Sequence, residues 1–301
     1  MKSTLCSCAA LAIVAAFAVS APAGESEKYT LRYKFQPGEA VRWEVEHRSN
    51  VKTTVSGTTQ TAETLSTSVK LWRVTAVKPD GSATFEHSVE QVDMRQKLTG
   101  RDEVRYNSKT DAKPPVGFED AAKSVGIVLS VVTIDAKGKV ISRERKYPKK
   151  QDAKDSTTAP AQSEGWMTIP LPDEAVTVGH TWSLPYDIDL PMPGGGTKRI
   201  KAVQQFKLED VKTGIATIHV STEILTPITD PAIESQLVQR EAEGRVRFDI
   251  DAGRIVGQQM DTDKHVVGFR GEASSIHYLN RFAEKLLPQT AKTAGKETKR
   301  D

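Results

Sequence analysis

Side chains that could do chemistry are few in this chain and widely spaced. Its six histidines, His47, His87, His180, His219, His265 and His277, never stand as His-x-x-x-His or His-x-His, the spacings from which a local zinc site is built. His87 and His219 take similar places in two similar stretches. They would ligate a metal only if the fold brought them together, and two solvent-facing strand histidines is the plainer expectation. No Gly-x-Ser-x-Gly elbow is present, and both cysteines, Cys6 and Cys8, lie at the extreme N-terminus. Asp249-Ile250-Asp251-Ala252-Gly253 opens like a calcium loop, yet Met260 stands where the closing glutamate belongs. A hairpin turn explains those residues better, and Asp261-Thr262-Asp263 is expected to be the next turn. The run Pro193–Lys198 lacks phosphate-loop spacing and precedes a β segment, so it is expected to be a hairpin tip. The sequence therefore assigns no catalytic, metal-binding or cofactor-binding residue and implies no cofactor.

Four aromatics are the remaining candidates. Trp43, Trp72, Trp182 and Phe206 recur at equivalent β positions, where they either line an apolar ligand pocket or fill the core.

These residues sit in a repeated pattern. Val69–Met94 has two alternating apolar runs around Pro79-Asp80-Gly81, which predicts a β-hairpin with Gly81 at positive φ. The phase of alternation shifts at Trp72–Val74–Val77. A shorter copy returns at Phe206–Val220, where Phe206, Leu208 and Val211 repeat the spacing of Trp72, Val74 and Val77. Pro37-Gly38 before Trp43 is echoed by Val178-Gly179 before Trp182. Ile134-Asp135 leading to Gly138 and Val140 is echoed by Phe248-Asp249 leading to Gly253 and Ile255. With Asp80-Gly81-Ser82-Ala83-Thr84-Phe85 echoed by Thr213-Gly214-Ile215-Ala216-Thr217-Ile218, four landmarks in one order predict two copies of a β module.

Around these landmarks, Tyr29–Phe35 alternates as a strand and is expected to pair with Ala40–His47. The Thr- and Ser-rich Asn50–Ser68 suits an exposed or edge strand. Phe118–Val125 is helical in spacing, with Gly126 to end it. Ile127–Ile134 is an apolar β-branched run, expected to be a strand buried on both faces. Residues 274–287 fit helix and strand, and the Ala-Glu-Lys-Leu-Leu ending favours helix for the second half.

Residues 1–23 have the form of a signal peptide: Lys2, an apolar run over Leu5–Val19, and Ala21-Pro22-Ala23 as the cleavage pattern. Export to the periplasm or the extracellular space follows, with a mature chain free of cysteine and of any membrane-spanning segment. Residues 24–146 form the first module, 147–165 a linker or long loop, 166–287 the second module, and 288–301 a basic tail of disordered composition. Net charge is +3, and the charges are interspersed along the chain, which argues against a nucleic-acid partner.

The order Pro-Gly before Trp43, then Trp72-x-Val with Asp80-Gly81-x-Ala83, then Asp135-x-x-Gly138-Lys139-Val140 resembles a family of secreted bacterial all-β proteins of unknown function. More loosely, it resembles the half-barrels of bacterial lipoprotein carriers. The resemblance implies a two-part β meander over nearly the whole mature chain and no catalytic residues.

The expected fold is all-β and mainly antiparallel: two similar meanders, in a shared curved sheet or half-barrel, with one or two short helices. The leading functional expectation is a non-catalytic envelope protein holding a lipid or other apolar small molecule in a β cavity. The alternatives are a structural or protein-interaction module with an exposed β edge on an envelope partner, and a hydrolase with a non-local acid pair.

Overall fold

The computed structural model describes residues 27–147, 168–192 and 195–288. The expected signal peptide, nearly all of the linker, Pro193-Gly194 of the Gly-rich run and the tail after Pro288 lie outside the described residues.

Among the described residues twelve strands form one open, antiparallel sheet. In chain order they are β1 (Ala40–Val55), β2 (Thr58–Val77), β3 (Ala83–Leu98), β4 (Val104–Asn107), β5 (Val128–Ile134) and β6 (Val140–Arg145), then β7 (Thr181–Pro191), β8 (Thr197–Lys212), β9 (Ile215–Ile224), β10 (Glu243–Asp249), β11 (Arg254–Val267) and β12 (Ser275–Leu286). Their spatial order is β6-β5-β3-β2-β1-β12-β11-β10-β9-β8-β7, with β4 added beside β3. The protein is all-β, and both halves of the chain share one continuous sheet whose seam is the β1–β12 pair.

The β2–β3 hairpin forms as its sequence predicts. Gly81 has φ +81°, Lys78 N–H donates to Ser82 O at 2.9 Å, and the Asp80 carboxylate accepts from Ser82 N–H at 2.9 Å. The phase shift has a physical cause. Two β-bulges, between Val69 and Lys70 and between Val74 and Ala76, each turn the following residues to the other face. A bulge between Leu208 and Asp210 stands at the same place in β8–β9, and bulges at Thr133/Ile134 and Arg247/Phe248 match each other in β5–β6 and β10–β11.

One face of the sheet is core. There Trp72 stacks on Phe85 at 4.1 Å between ring centroids and meets Trp43 edge-on at 4.8 Å. Val74, Ile134, Leu208, Ile218 and Phe248 extend the core along the strands. Two irregular segments lie over it. Leu31 and Tyr33 come from the one before β1, and Ile169, Leu171 and Val176 from the one before β7.

Two short helices cover the flanks. α1 (Glu119–Ser124) lies within the expected helix; Phe118 at its start and its own Ala122 pack with Val92 and Tyr106. α2 (Pro231–Leu237) packs Ile233 and Leu237 on Ile188, Leu190 and Ile200. Its start carries Pro231 in the first turn and Asp230 as N-cap, whose carboxylate accepts from Ala232 N–H at 2.8 Å.

Several expectations are corrected. Tyr29–Phe35 does not pair with β1. Tyr29 exchanges backbone hydrogen bonds with Val176, Tyr33 N–H donates to Ala136 O at 2.7 Å, and Lys34 N–H donates to Gly253 O at 2.9 Å. Its alternation marks an extended segment buried against turns of both halves. Asn50–Ser68 is not an edge: β1 lies between β2 and β12, and β2 between β1 and β3. Backbone pairing on both sides is indifferent to side-chain polarity, and threonine favours it. β5 is buried on one face, through Ser130, Val132 and Ile134, while Ile127 is exposed. Residues 275–286 are strand throughout, because β1 and β11 both supply hydrogen-bonding partners. Asp261–Asp263 lies inside β11 and is no turn.

Candidate functional site

The four aromatic candidates fall into two groups. Trp43 and Trp72 are buried in the middle of the core face, and Trp43 Nε1–H donates to Ile255 O at 3.0 Å. Trp182 and Phe206 pack together at 5.5 Å between centroids, in β7 and β8 near one end of the sheet. Phe206 is buried, and the half-buried Trp182 donates from Nε1 to Pro170 O at 2.8 Å.

Beside Trp43 and Trp72 the core face turns polar. The Lys70 ammonium lies 4.7 Å from the centroid of Trp43 and 5.0 Å from that of Trp72, and it is ion-paired with Glu284 of β12. Gln258 Nε2–H donates to the same carboxylate at 2.5 Å. His87 stands directly opposite Trp72 and is buried, which corrects the expectation of a solvent-facing histidine. Burial, with Lys70 and Arg143 nearby, pushes its pKa down to about 3 from the ordinary 6.5, so the ring is neutral at pH 7. Glu284 and Lys70 thus meet on the core face; buried Ser130 of β5 stands opposite His87 there, but among the described residues no hydrogen bond joins the two, and Ser130 Oγ and His87 Nδ1 are both without a partner.

His219 does not match His87. Phe206 faces Val220 and Trp72 faces His87, so Val220 holds the place of His87, and His219 is one residue out of step. A shift of one residue turns a strand side chain to the opposite face. His219 accordingly lies on the outer face, hydrogen-bonded to Glu243 at 2.9 Å. No metal pair forms between them. Among the described residues no group of three or more His, Cys, Asp or Glu side chains could hold a metal ion. The Asp249 carboxylate accepts from Ala252 N–H at 2.8 Å, as a turn residue does.

On the core face, Met260 and Thr262 of β11 are buried beside Phe282 and Asn280, and Val51 packs with Val238, Val266 and Tyr278, but β1 is exposed at His47 between them. Moving along β1 from buried Trp43, Val45 is half-buried and His47 is exposed. His47 faces Ser66 on one side and Phe282 on the other, and Ser49 faces Thr64 and Asn280. His47 Nε2–H donates to Asn280 Oδ1 at 2.5 Å. This interval has an apolar lower part, Val45 and Phe282, and an upper rim of hydroxyls and amides. Sequence patterning missed it, since Ser66, His47 and Asn280 are brought together by register alone.

No family model matches the chain. No curated protein matches it either. Among solved structures, one of lipovitellin, concerned with its lipid–protein interactions, is similar at 13% identity and a TM-score of 0.45. That likeness covers 85% of this chain and 26% of the other, so the chain spans about a quarter of the lipovitellin chain. OpdQ of Pseudomonas aeruginosa is similar at 7% identity and a TM-score of 0.20, over 84% of this chain and 100% of the other. Neither is a lipoprotein carrier. Among the described residues no helix is long and apolar enough to cross a membrane.

Proposed function

We propose that this is an exported, non-catalytic binding protein whose core face holds an amphipathic ligand of lipid type in the interval around His47. One observation carries this reading: the face that is packed core at Trp43 and Trp72 becomes exposed at His47, with Ser49, Ser66 and Phe282 only half-buried around it. An acyl chain would cover Val45 and Phe282, and its polar end would meet His47 and Asn280. Titration of delipidated protein with cis-parinaric acid tests it. Saturable fluorescence gain is expected, weakened about tenfold in Ser66→Trp, where an indole fills the interval. No gain with folded wild-type protein overturns the reading.

A second reading is favoured by β6. Among the described residues this terminal strand pairs only with β5, and it exposes Val140 and Ile141 at 46% and 59%, whereas the other terminal strand, β7, carries Pro185 and Pro191. β6 is therefore the edge open to a partner strand. Ile141→Lys should then abolish binding to a partner isolated with wild-type protein, and an unchanged complex refutes this use of β6.

We also infer that the two halves descend from one module. Matching bulges support this, as do the parallel strand orders β6-β5-β3-β2-β1 and β11-β10-β9-β8-β7 and the helix inserted before β5 and before β10. The free superposition of the halves should bring Trp72 onto Phe206 and Ile134 onto Phe248; any other best alignment refutes it.

A further inference from the structure

The outer face carries a line of arginines that no stretch of sequence displays. Across β12, β1, β2, β3 and β4, Arg281 stands opposite Arg48, Arg48 opposite Leu65, Leu65 opposite Arg95, and Arg95 opposite Arg105. Directly opposed residues of antiparallel strands share a face. Arg48 and Leu65 are next to core-facing His47 and Ser66, so the line lies on the far side of the sheet. At a strand spacing of ~4.8 Å it runs about 19 Å.

Like charges placed directly opposite one another cost stability, and here this happens twice, at Arg48–Arg281 and Arg95–Arg105. Carboxylates offset part of that cost. Arg281 pairs with Asp261 at 2.6 Å, Arg48 with Glu46 at 3.3 Å and Arg105 with Glu103 at 2.5 Å. Arg95 and the neighbouring Lys97 form no ion pair among the described residues. Their field is still felt. Glu103 is held below the ordinary carboxylate range, chiefly by its hydrogen bond from Arg105 and also by the charges of Arg105, Arg95 and Lys97.

A hollow of about 310 Å³ opens at this place, lined by Arg48, Arg95, Lys97, Asn50 and Glu63, with Leu65 among them and Glu103 at the wall. Three cations against two carboxylates leave it positive, and the lining mixes fixed donors with acceptors. A bare anion would use the arginines and meet Glu63 as a repulsion. A ligand that combines an anionic group with hydroxyls uses both.

We propose that this hollow binds an anionic saccharide unit, a sugar bearing phosphate or carboxylate. The anionic group lies between Arg48 and Arg95, the ring hydroxyls donate to Glu63 and Asn50, and a C–H face of the ring rests on Leu65. The site is on the face opposite the proposed lipid interval, and it stands or falls independently of it.

Calorimetric titration of the protein at low ionic strength with glucose 6-phosphate, glucuronate, inorganic phosphate and glucose tests the assignment. Glucose 6-phosphate and glucuronate should bind, glucose should not, and inorganic phosphate should bind about tenfold more weakly. Arg48→Gln and Arg95→Gln are exposed and should fold normally by circular dichroism, yet each should lose about tenfold in affinity. Arg199→Gln, at an outer-face arginine in β8, should be unaffected. Wild-type affinity in Arg95→Gln overturns the site. Inorganic phosphate binding as tightly as glucose 6-phosphate overturns the saccharide. Retention on phosphatidylglycerol vesicles, lost in Arg95→Gln and unaccompanied by any heat with glucose 6-phosphate, moves the site to a membrane headgroup and overturns it equally.

Discussion

Lys70 and Glu284 form an ion pair across the seam of the sheet, their side chains only 9% and 2% exposed. Lys70 belongs to β2 and Glu284 to β12, so the pair spans β1 and ties the N-terminal half of the sheet to the C-terminal half. Two aromatic faces and the Gln258 amide lie against the charges.

Removing one partner leaves the other charged and buried, which costs about 3–5 kcal/mol. Lys70→Met is therefore expected to lower the urea midpoint sharply. The double variant Lys70→Met/Glu284→Leu should recover most of that loss, because two apolar side chains of similar volume impose no uncompensated charge. Urea unfolding of the three proteins measures the coupling; a double variant no more stable than the single one contradicts the pairing.

His87 predicts a pH dependence. Its pKa is about 3 in the folded protein and near 6.5 when unfolded, so between these values the unfolded chain binds the extra proton. Stability is full above pH 6.5 and falls as the pH drops towards 3, with a slope of up to ~1.4 kcal/mol per pH unit from this group. His87→Val, which copies Val220 at the matching place in β9, removes that contribution. The difference between the two proteins in urea midpoints from pH 7 to pH 4 isolates it, and parallel curves would show that His87 does not titrate in this way.

Much of the architecture was legible in the sequence because turns and bulges are local. Gly81 marked its hairpin, and the shifted phase at Trp72–Val74 was the β2 bulge seen as pattern. The helix preference of Ala283–Leu287 is also local, and it lost to backbone partners on both sides of β12. Tyr29–Phe35 looked like a strand for the same reason, since extended backbone alternates whether or not a neighbour pairs with it. The sites were illegible for a different reason. Arg48, Arg95, Arg105 and Arg281 become neighbours only through register, and the buried role of Lys70 depends on Glu284, more than two hundred residues away.

Thr213 offers a stabilising substitution. With φ +48° before Gly214 at φ +76°, it occupies the first place of a two-residue hairpin turn joining β8 to β9. Both positions call for left-handed backbone, which β-branched residues resist and asparagine tolerates. Thr213→Asn should add about 0.5–1 kcal/mol, despite losing the hydroxyl bond to Lys212 O at 2.8 Å. Thermal unfolding is the measurement, and a lower midpoint contradicts the strain.

Gly253 tests how the crossing segment is held. Its φ is +62°, its carbonyl accepts from Lys34 N–H at 2.9 Å, and a Cβ there would come within 2.5–2.6 Å of Lys34 Cγ, Cβ and N. Gly57 in the β1–β2 turn has φ +77° with nothing within 4 Å of the same added carbon. Gly57→Ala therefore carries conformational strain alone, of order 1 kcal/mol, whereas Gly253→Ala adds a backbone clash of about 1–3 kcal/mol. The clash acts on the segment that joins the β5–β6 and β10–β11 turns, through Tyr33 to Ala136 and Lys34 to Gly253. Gly253→Ala should consequently speed hydrogen exchange at the Tyr33 and Lys34 amides as well as lower the urea midpoint, and Gly57→Ala should leave those amides protected. Equal losses of stability in the two variants, with unchanged exchange at Lys34, would mean that the segment is not pinned at Gly253.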